Sequence, residues 1–177
     1  IRFRMLLGGL APDNDAAMPQ SLREQLEHTW QRIEQAIPGT RFNFDFWRNC
    51  EPRRSTYPAC RAVIAARMLD PAQEEAMIQA IQQAYYLRAM NPSDTETLLS
   101  LADELSLDRA KFAYLLAREE VNEQLLDEIG EARAIQASSF PSLILRADYA
   151  TYRTIPINYT DAQSMVDTIE SLIAAMR

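Results

Sequence analysis

Pro141, in the stretch Ser138-Ser139-Phe140-Pro141-Ser142-Leu143-Ile144-Leu145, constrains this chain more than any other residue. It stands at the mouth of an apolar strand and closes a long helical region. A proline has no N–H to give a ladder, so a sheet must meet it at an edge or an end. An X-Pro bond in so tight a corner is also where a cis peptide is most plausible, against a general background of about 5–6%. A cis bond would turn the Phe140 backbone outward, with its N–H and C=O open to a visiting extended chain. A trans proline that merely ends the loop is the alternative.

Composition excludes several classes. The chain has 177 residues, 47% apolar and 24% charged, which suits one well-cored domain or a domain with an insertion. No apolar run is long enough to span a membrane. A net charge of −7 argues against nucleic acid as the main partner. One His (His28) and two Cys (Cys50, Cys60) leave no zinc-type cluster and no resident metal or cofactor to expect. His28 lies in a charged helical stretch and reads as a solvated surface residue.

Ile1-Arg2-Phe3-Arg4-Met5-Leu6-Leu7 alternates apolar and charged residues as a half-buried strand does, and Gly8-Gly9 ends it. There is no initiator Met and no signal peptide, so the expectation is a fragment, or a fold whose first part lies upstream, in a reducing cytoplasm. Ala11 to Pro19 is a polar loop. Gln20 to Ile37 is a helix with the stripe Leu22, Leu26, Trp30, Ile33 and Ile37, stopped by Pro38-Gly39. Arg41 to Trp47 is a short strand or an extended arm packing aromatic rings.

Five helices follow. The first runs from Tyr57 to Leu69, capped by Ser55 or Thr56, with Pro58 in its first turn. Asp70-Pro71-Ala72-Gln73 reads as a capping box for a helix to about Ala89 that carries Tyr85 and Tyr86. Ser93-Asp94-Thr95-Glu96 is a second box, and Asp108 opens the next helix. Val121, Leu125, Ile129 and Ala132 stripe the last of the block. Beyond Pro141, Ser142–Leu145 and Thr151–Ile155 form a hairpin turned by Ala147-Asp148-Tyr149-Ala150. Thr160 to Gln163 caps a final helix with Met165, Ile169, Leu172, Ile173 and Met176 inward. A block of helices between strand-like halves suggests an insertion into a small sheet.

This order resembles the thioredoxin fold with a helical insertion, as in the DsbA-like thiol-disulfide oxidoreductases. Their second half is a cis-proline loop, a hairpin and a closing helix. The stretches Phe44-Asp45-Phe46-Trp47, Arg53 to Ala62, Leu7-Gly8-Gly9-Leu10-Ala11-Pro12-Asp13 and Ala84-Tyr85-Tyr86 are similar to a branch described as predicted protein-disulfide isomerases. The resemblance implies an α/β fold with residues 1–56 and 136–177 as the thioredoxin-like part, incomplete at its N-terminus, and 57–135 as the inserted helical domain. It implies thiol-disulfide oxidoreductase or isomerase activity on protein or small-molecule disulfides, with glutathione as a co-substrate. Phe140 and Pro141 become the substrate-binding residues.

One departure stands out. The family carries Cys-x-x-Cys after its first strand, and these residues contain none. The expectation is that the first strand and active-site helix lie upstream. A glutathione-dependent isomerase or transferase of kappa-like class, and a non-catalytic binding module, are the alternatives. Disulfide exchange needs a thiolate of lowered pKa, commonly at a helix N-terminus. Cys60, near such a terminus and beside Arg53, Arg54 and Arg61, could form a second redox pair with Cys50; a small buried Cys60 and an unpaired loop Cys50 are the favoured reading. Arg48, Arg53, Arg54 and Arg61 could hold an anion such as the glutathione carboxylates, though pairing with neighbouring acids is favoured.

Overall fold

The computed structural model describes residues 1–146 and 151–175. In chain order it contains α1 (Gln20–Ala36), α2 (Phe46–Asn49), α3 (Tyr57–Leu69), α4 (Gln73–Leu87), α5 (Thr95–Glu104), α6 (Arg109–Leu116), α7 (Glu119–Ala134), β1 (Leu143–Arg146), β2 (Tyr152–Ile155) and α8 (Ala162–Ala174). By spatial packing the chain divides into Gly9–Asp127 and a second unit formed by Ile1–Gly8 with Glu128–Arg177. The insertion boundaries at 57 and 135 concern topology rather than packing, and stay our proposal.

The Gly9–Asp127 unit is built on α3. Its Ala62, Val63, Ile64, Ala65 and Ala66 are all buried, and it packs against α4, α5 and α6. Alanines on several faces let neighbouring helices approach from more than one side. Met77, Leu98, Leu101 and Phe112 fill the space around it, each with no exposed surface. Val121 and Leu125 of α7 are equally buried.

A second nucleus in this unit is aromatic. Trp30 on α1, Phe46 and Trp47 form its buried centre, with Phe42, Phe44 and Tyr85 against it. Trp30 stacks on Phe42 at 4.9 Å between centroids and meets Tyr85 edge-on at 5.3 Å. The segment before α2 is therefore an arm and not a strand. Its backbone is held from outside: Phe42 N–H donates to Glu34 Oε1 at 2.6 Å, and Asn43 N–H to the Tyr86 carbonyl at 2.7 Å. Among the described residues, Trp47 Nε1 is buried with no hydrogen-bond partner.

Helix ends differ from the sequence reading where a side chain has a tertiary partner. Thr56 precedes α3, but its Oγ1 accepts from the Ala11 N–H at 2.9 Å and donates to the Ala11 carbonyl at 3.1 Å, and does not cap the helix. Asp94 precedes α5 yet takes the Arg53 guanidinium. Asp70 accepts from the Ala72 N–H at 2.9 Å, and α4 starts at Gln73 without a box. Asp108 and Asp161 do cap, accepting from the Lys111 and Ser164 N–H groups at 3.0 and 3.3 Å.

In the second unit β1 and β2 pair antiparallel, with Leu143 opposite Ile155 and Arg146 opposite Tyr152. A lone two-stranded hairpin is marginal in water. Here α8 packs on β2, and Ile155 is 1% exposed. The turn expected at 147–150 and the inward Met176 lie outside the described residues. Ile1–Leu7 corrects the sequence reading: it forms no ladder among the described residues, and Ile1 and Phe3 are 95% and 75% exposed. Alternation alone does not make a strand, which needs a neighbour for its N–H and C=O groups. Side chains of α7 hold the segment instead. Arg4 forms two hydrogen bonds to Glu131 at 2.7 and 2.8 Å, and the Leu7 N–H donates to Glu128 Oε2 at 2.8 Å.

Candidate functional site

The corner after α7 is built by short-range bonds. The helix ends with Ile135 N–H on the Glu131 carbonyl, and Ala137 N–H reaches back to Ala132 at 2.9 Å. Gln136 takes a positive φ of 63°, which turns the chain out of the helix. Ala137 is buried, and Ser138 to Pro141 are exposed. Ser142 Oγ donates to the Ser139 carbonyl and tightens the loop just before β1.

The Phe140–Pro141 peptide is cis. Phe140 is 45% exposed, and among the described residues neither its N–H nor its C=O has a hydrogen-bond partner. The Phe140 ring lies over Gly8, whose missing side chain gives it room. Sequence reasoning assigned both glycines to a free turn. Only Gly9 has a positive φ, 54°, whereas Gly8 answers a close approach from a residue far along the chain. No local pattern announces that contact.

Cys50 and Cys60 are both half-buried and are not joined in a disulfide. Cys50 ends α2 and packs on the aromatic nucleus, with Sγ donating to the Ala89 carbonyl at 3.1 Å. Burial pushes its thiol pKa up, and the charge of Asp94 adds to the shift. Cys60 lies in the first turns of α3, after Pro58.

Three of the four candidate anion-binding arginines are engaged by acids. Arg61 clasps Asp13 with bonds of 2.7 and 2.8 Å and also reaches Asn122 at 3.3 Å. The Arg61 guanidinium hydrogen-bonded to Asp13 holds that carboxyl below the usual range. Arg53 binds Asp94 and the Ser93 carbonyl, and Arg48 pairs with Asp45 at 3.3 Å. Arg54 is exposed. A shallow depression of about 480 Å³ lies on the Gly9–Asp127 unit. It is lined by Glu27, Gln31, Glu34, Gln35, Arg41, Phe44 and Arg48, and none of these is a thiol. His28 is exposed on α1, as its neighbours suggest. No described helix is long and apolar enough to cross a membrane.

The fold recurs in solved structures. A candidate protein disulfide isomerase from Nitrosomonas europaea superposes with a TM-score of 0.79 at 20% identity, over 94% of this chain and 80% of its own. The cytosolic disulfide reductase DsbM from Pseudomonas aeruginosa gives 0.74 at 22% identity, over 97% of this chain and 84% of its own. The same reductase with GSH gives 0.72 at 21% identity, with the same coverage. No curated protein matches the chain in sequence. The architecture is thus an α/β thioredoxin-like fold with a helical insertion and a small antiparallel sheet. Residues 3–168 match the DSBA-like thioredoxin domain, and the chain belongs to that family.

Proposed function

We propose that this protein exchanges thiols with protein and small-molecule disulfides. A thiolate attacks one sulfur of the substrate disulfide. The S–S bond breaks, a mixed disulfide forms, and the other sulfur leaves as a thiolate that takes a proton. A second thiol then attacks the mixed disulfide. The substrate leaves with two thiols and the attacking pair is left oxidised, so two electrons have passed to the substrate. Two glutathione thiols, as co-substrate, restore the dithiol and leave as glutathione disulfide. The same steps reversed oxidise a substrate, and attack on the mixed disulfide by a second substrate thiol reshuffles its disulfides with no net transfer of electrons.

The attacking pair in this reading is a Cys-x-x-Cys outside the 177 residues, which hold only Cys50 and Cys60, nine residues between them. These residues contribute the surface that receives the substrate. The observation that carries the reading is the corner at Phe140–Pro141: an exposed aromatic residue with an open N–H and C=O at the mouth of β1. An extended chain can add there as a short strand, gaining main-chain hydrogen bonds with little demand on its sequence. Pro141 brings no N–H of its own to compete.

The test is insulin reduction by the full-length protein with dithiothreitol or glutathione as electron donor. Turnover through a mixed disulfide, trapped after replacing the second Cys of the pair, is the expected result. A full-length protein that has the Cys pair and turns over no disulfide with any dithiol overturns the proposal. So does a lone Ser, or no nucleophile, where the pair is expected.

A further inference from the structure

The Phe140 ring occupies the place a side chain at position 8 would take. A Cβ built on Gly8 would lie 1.9 Å from Phe140 Cε1, 2.2 Å from Cζ and 2.5 Å from Cδ1. All three are far inside van der Waals contact, so even a methyl group there displaces the ring. The backbone below is fixed. Leu7, one residue back, gives its N–H to Glu128 Oε2 at 2.8 Å, and Arg4 is clamped to Glu131. Glu128 is itself 8% exposed, so its carboxylate is a built-in part of the unit. The ring, in contrast, is the free end of a rotatable side chain on a half-exposed residue. A side chain at position 8 therefore swings the ring and leaves the backbone in place, changing orientation more than stability.

We propose that Gly8 is a positioning residue that determines substrate class. By leaving nothing beneath Phe140, it seats the ring as an apolar ledge beside the open Phe140 backbone. An extended polypeptide can use both, its backbone on the Phe140 N–H and C=O and an apolar side chain on the ring. A small disulfide is too short to use either. The inference rests on the proposed disulfide exchange and adds to it a preference for polypeptide substrates.

The test is a cycle in the full-length protein of Gly8→Ala, Phe140→Ala and the double variant. The steady-state constants are measured with insulin and with hydroxyethyl disulfide. Gly8→Ala is expected to raise KM about tenfold more for insulin than for the small disulfide, with kcat for insulin changing by less than about twofold. In the Phe140→Ala background, where there is no ring to displace, Gly8→Ala is expected to add nothing. Equal effects on both substrates, or an equal effect with the ring absent, overturn the proposal. The contact has its own readout in the NMR spectrum. The Gly8 Hα resonances are expected upfield from the Phe140 ring current and return downfield in Phe140→Leu. If that displacement is absent while insulin is still reduced, the role of Gly8 falls and the exchange reaction stands. If it is present in a protein that exchanges no disulfide, the functional reading falls, and the substrate preference with it.

Discussion

At the scale of single residues, Cys50 shows how packing sets chemistry. A thiol reacts as its thiolate, so whatever raises the pKa slows the sulfur at neutral pH. Burial against the aromatic nucleus does this first, and the negative charge of Asp94 does it further. The hydrogen bond from Sγ to the Ala89 carbonyl favours the protonated form as well. In a Cys60→Ser protein, iodoacetamide is expected to alkylate Cys50 more slowly than glutathione at neutral pH, with the rate still climbing above the pH where an ordinary thiol has levelled off. Unfolding in urea should bring the rate up to that of glutathione. Fast alkylation in the folded protein at neutral pH would show that Cys50 is an activated thiol, and would favour its acting as a redox pair with Cys60. The arginines nearby make the same point from the other side. Positive charges close in sequence left an anion site open while favouring pairing with acids, and Arg48, Arg53 and Arg61 each have an acid within reach.

At the scale of elements, α3 is the least forgiving. Ala65 has no exposed surface on a helix that packs against three others. Ala65→Leu adds volume at a position with no exposed surface, and is expected to cost about 1–3 kcal/mol in urea unfolding. A neutral result would mean that the helices around α3 leave room for the larger side chain. The helices were largely legible in the sequence because a 3.6-residue stripe must be buried on one side wherever it occurs. Val121, Leu125, Ile129 and Ala132 are 0–3% exposed, and α3 runs from Tyr57 to Leu69 as its signals predict. Caps were less legible, because a hydroxyl or carboxylate has several uses and its choice depends on residues distant in sequence. Thr56 turned to Ala11 and Asp94 to Arg53. The Phe140–Pro141 corner was legible from its proline together with the family resemblance. Its seat on Gly8 was not, since a glycine shows only what it lacks.

At the scale of the whole molecule, burial is unevenly shared. Gly9–Asp127 encloses Trp30, Phe46, Ile64, Met77, Leu98, Leu101, Phe112, Val121 and Leu125. Among described apolar residues of the other unit, Ile129, Ala132, Ala137 and Ile155 are buried, while Ile1 and Phe3 are open. A polypeptide of residues 9–127 is therefore expected to show helical circular dichroism and a cooperative thermal transition. One of residues 128–177 is expected to show no cooperative transition, since its hairpin keeps little besides α8 to pack against. A gradual, non-cooperative melt of 9–127 would refute the first expectation. The fastening of the N-terminal segment has a different outcome, for inheritance. Arg4 and Leu7 stand three apart, and so do their partners Glu131 and Glu128, in opposite chain order. Leu7 is gripped by its main chain, so any residue but proline can make that bond. The count of residues from there to Gly8 has no such latitude, because one inserted residue would bring a side chain under the aromatic ring. This stretch can drift in spelling across descendants, but it is held to its length.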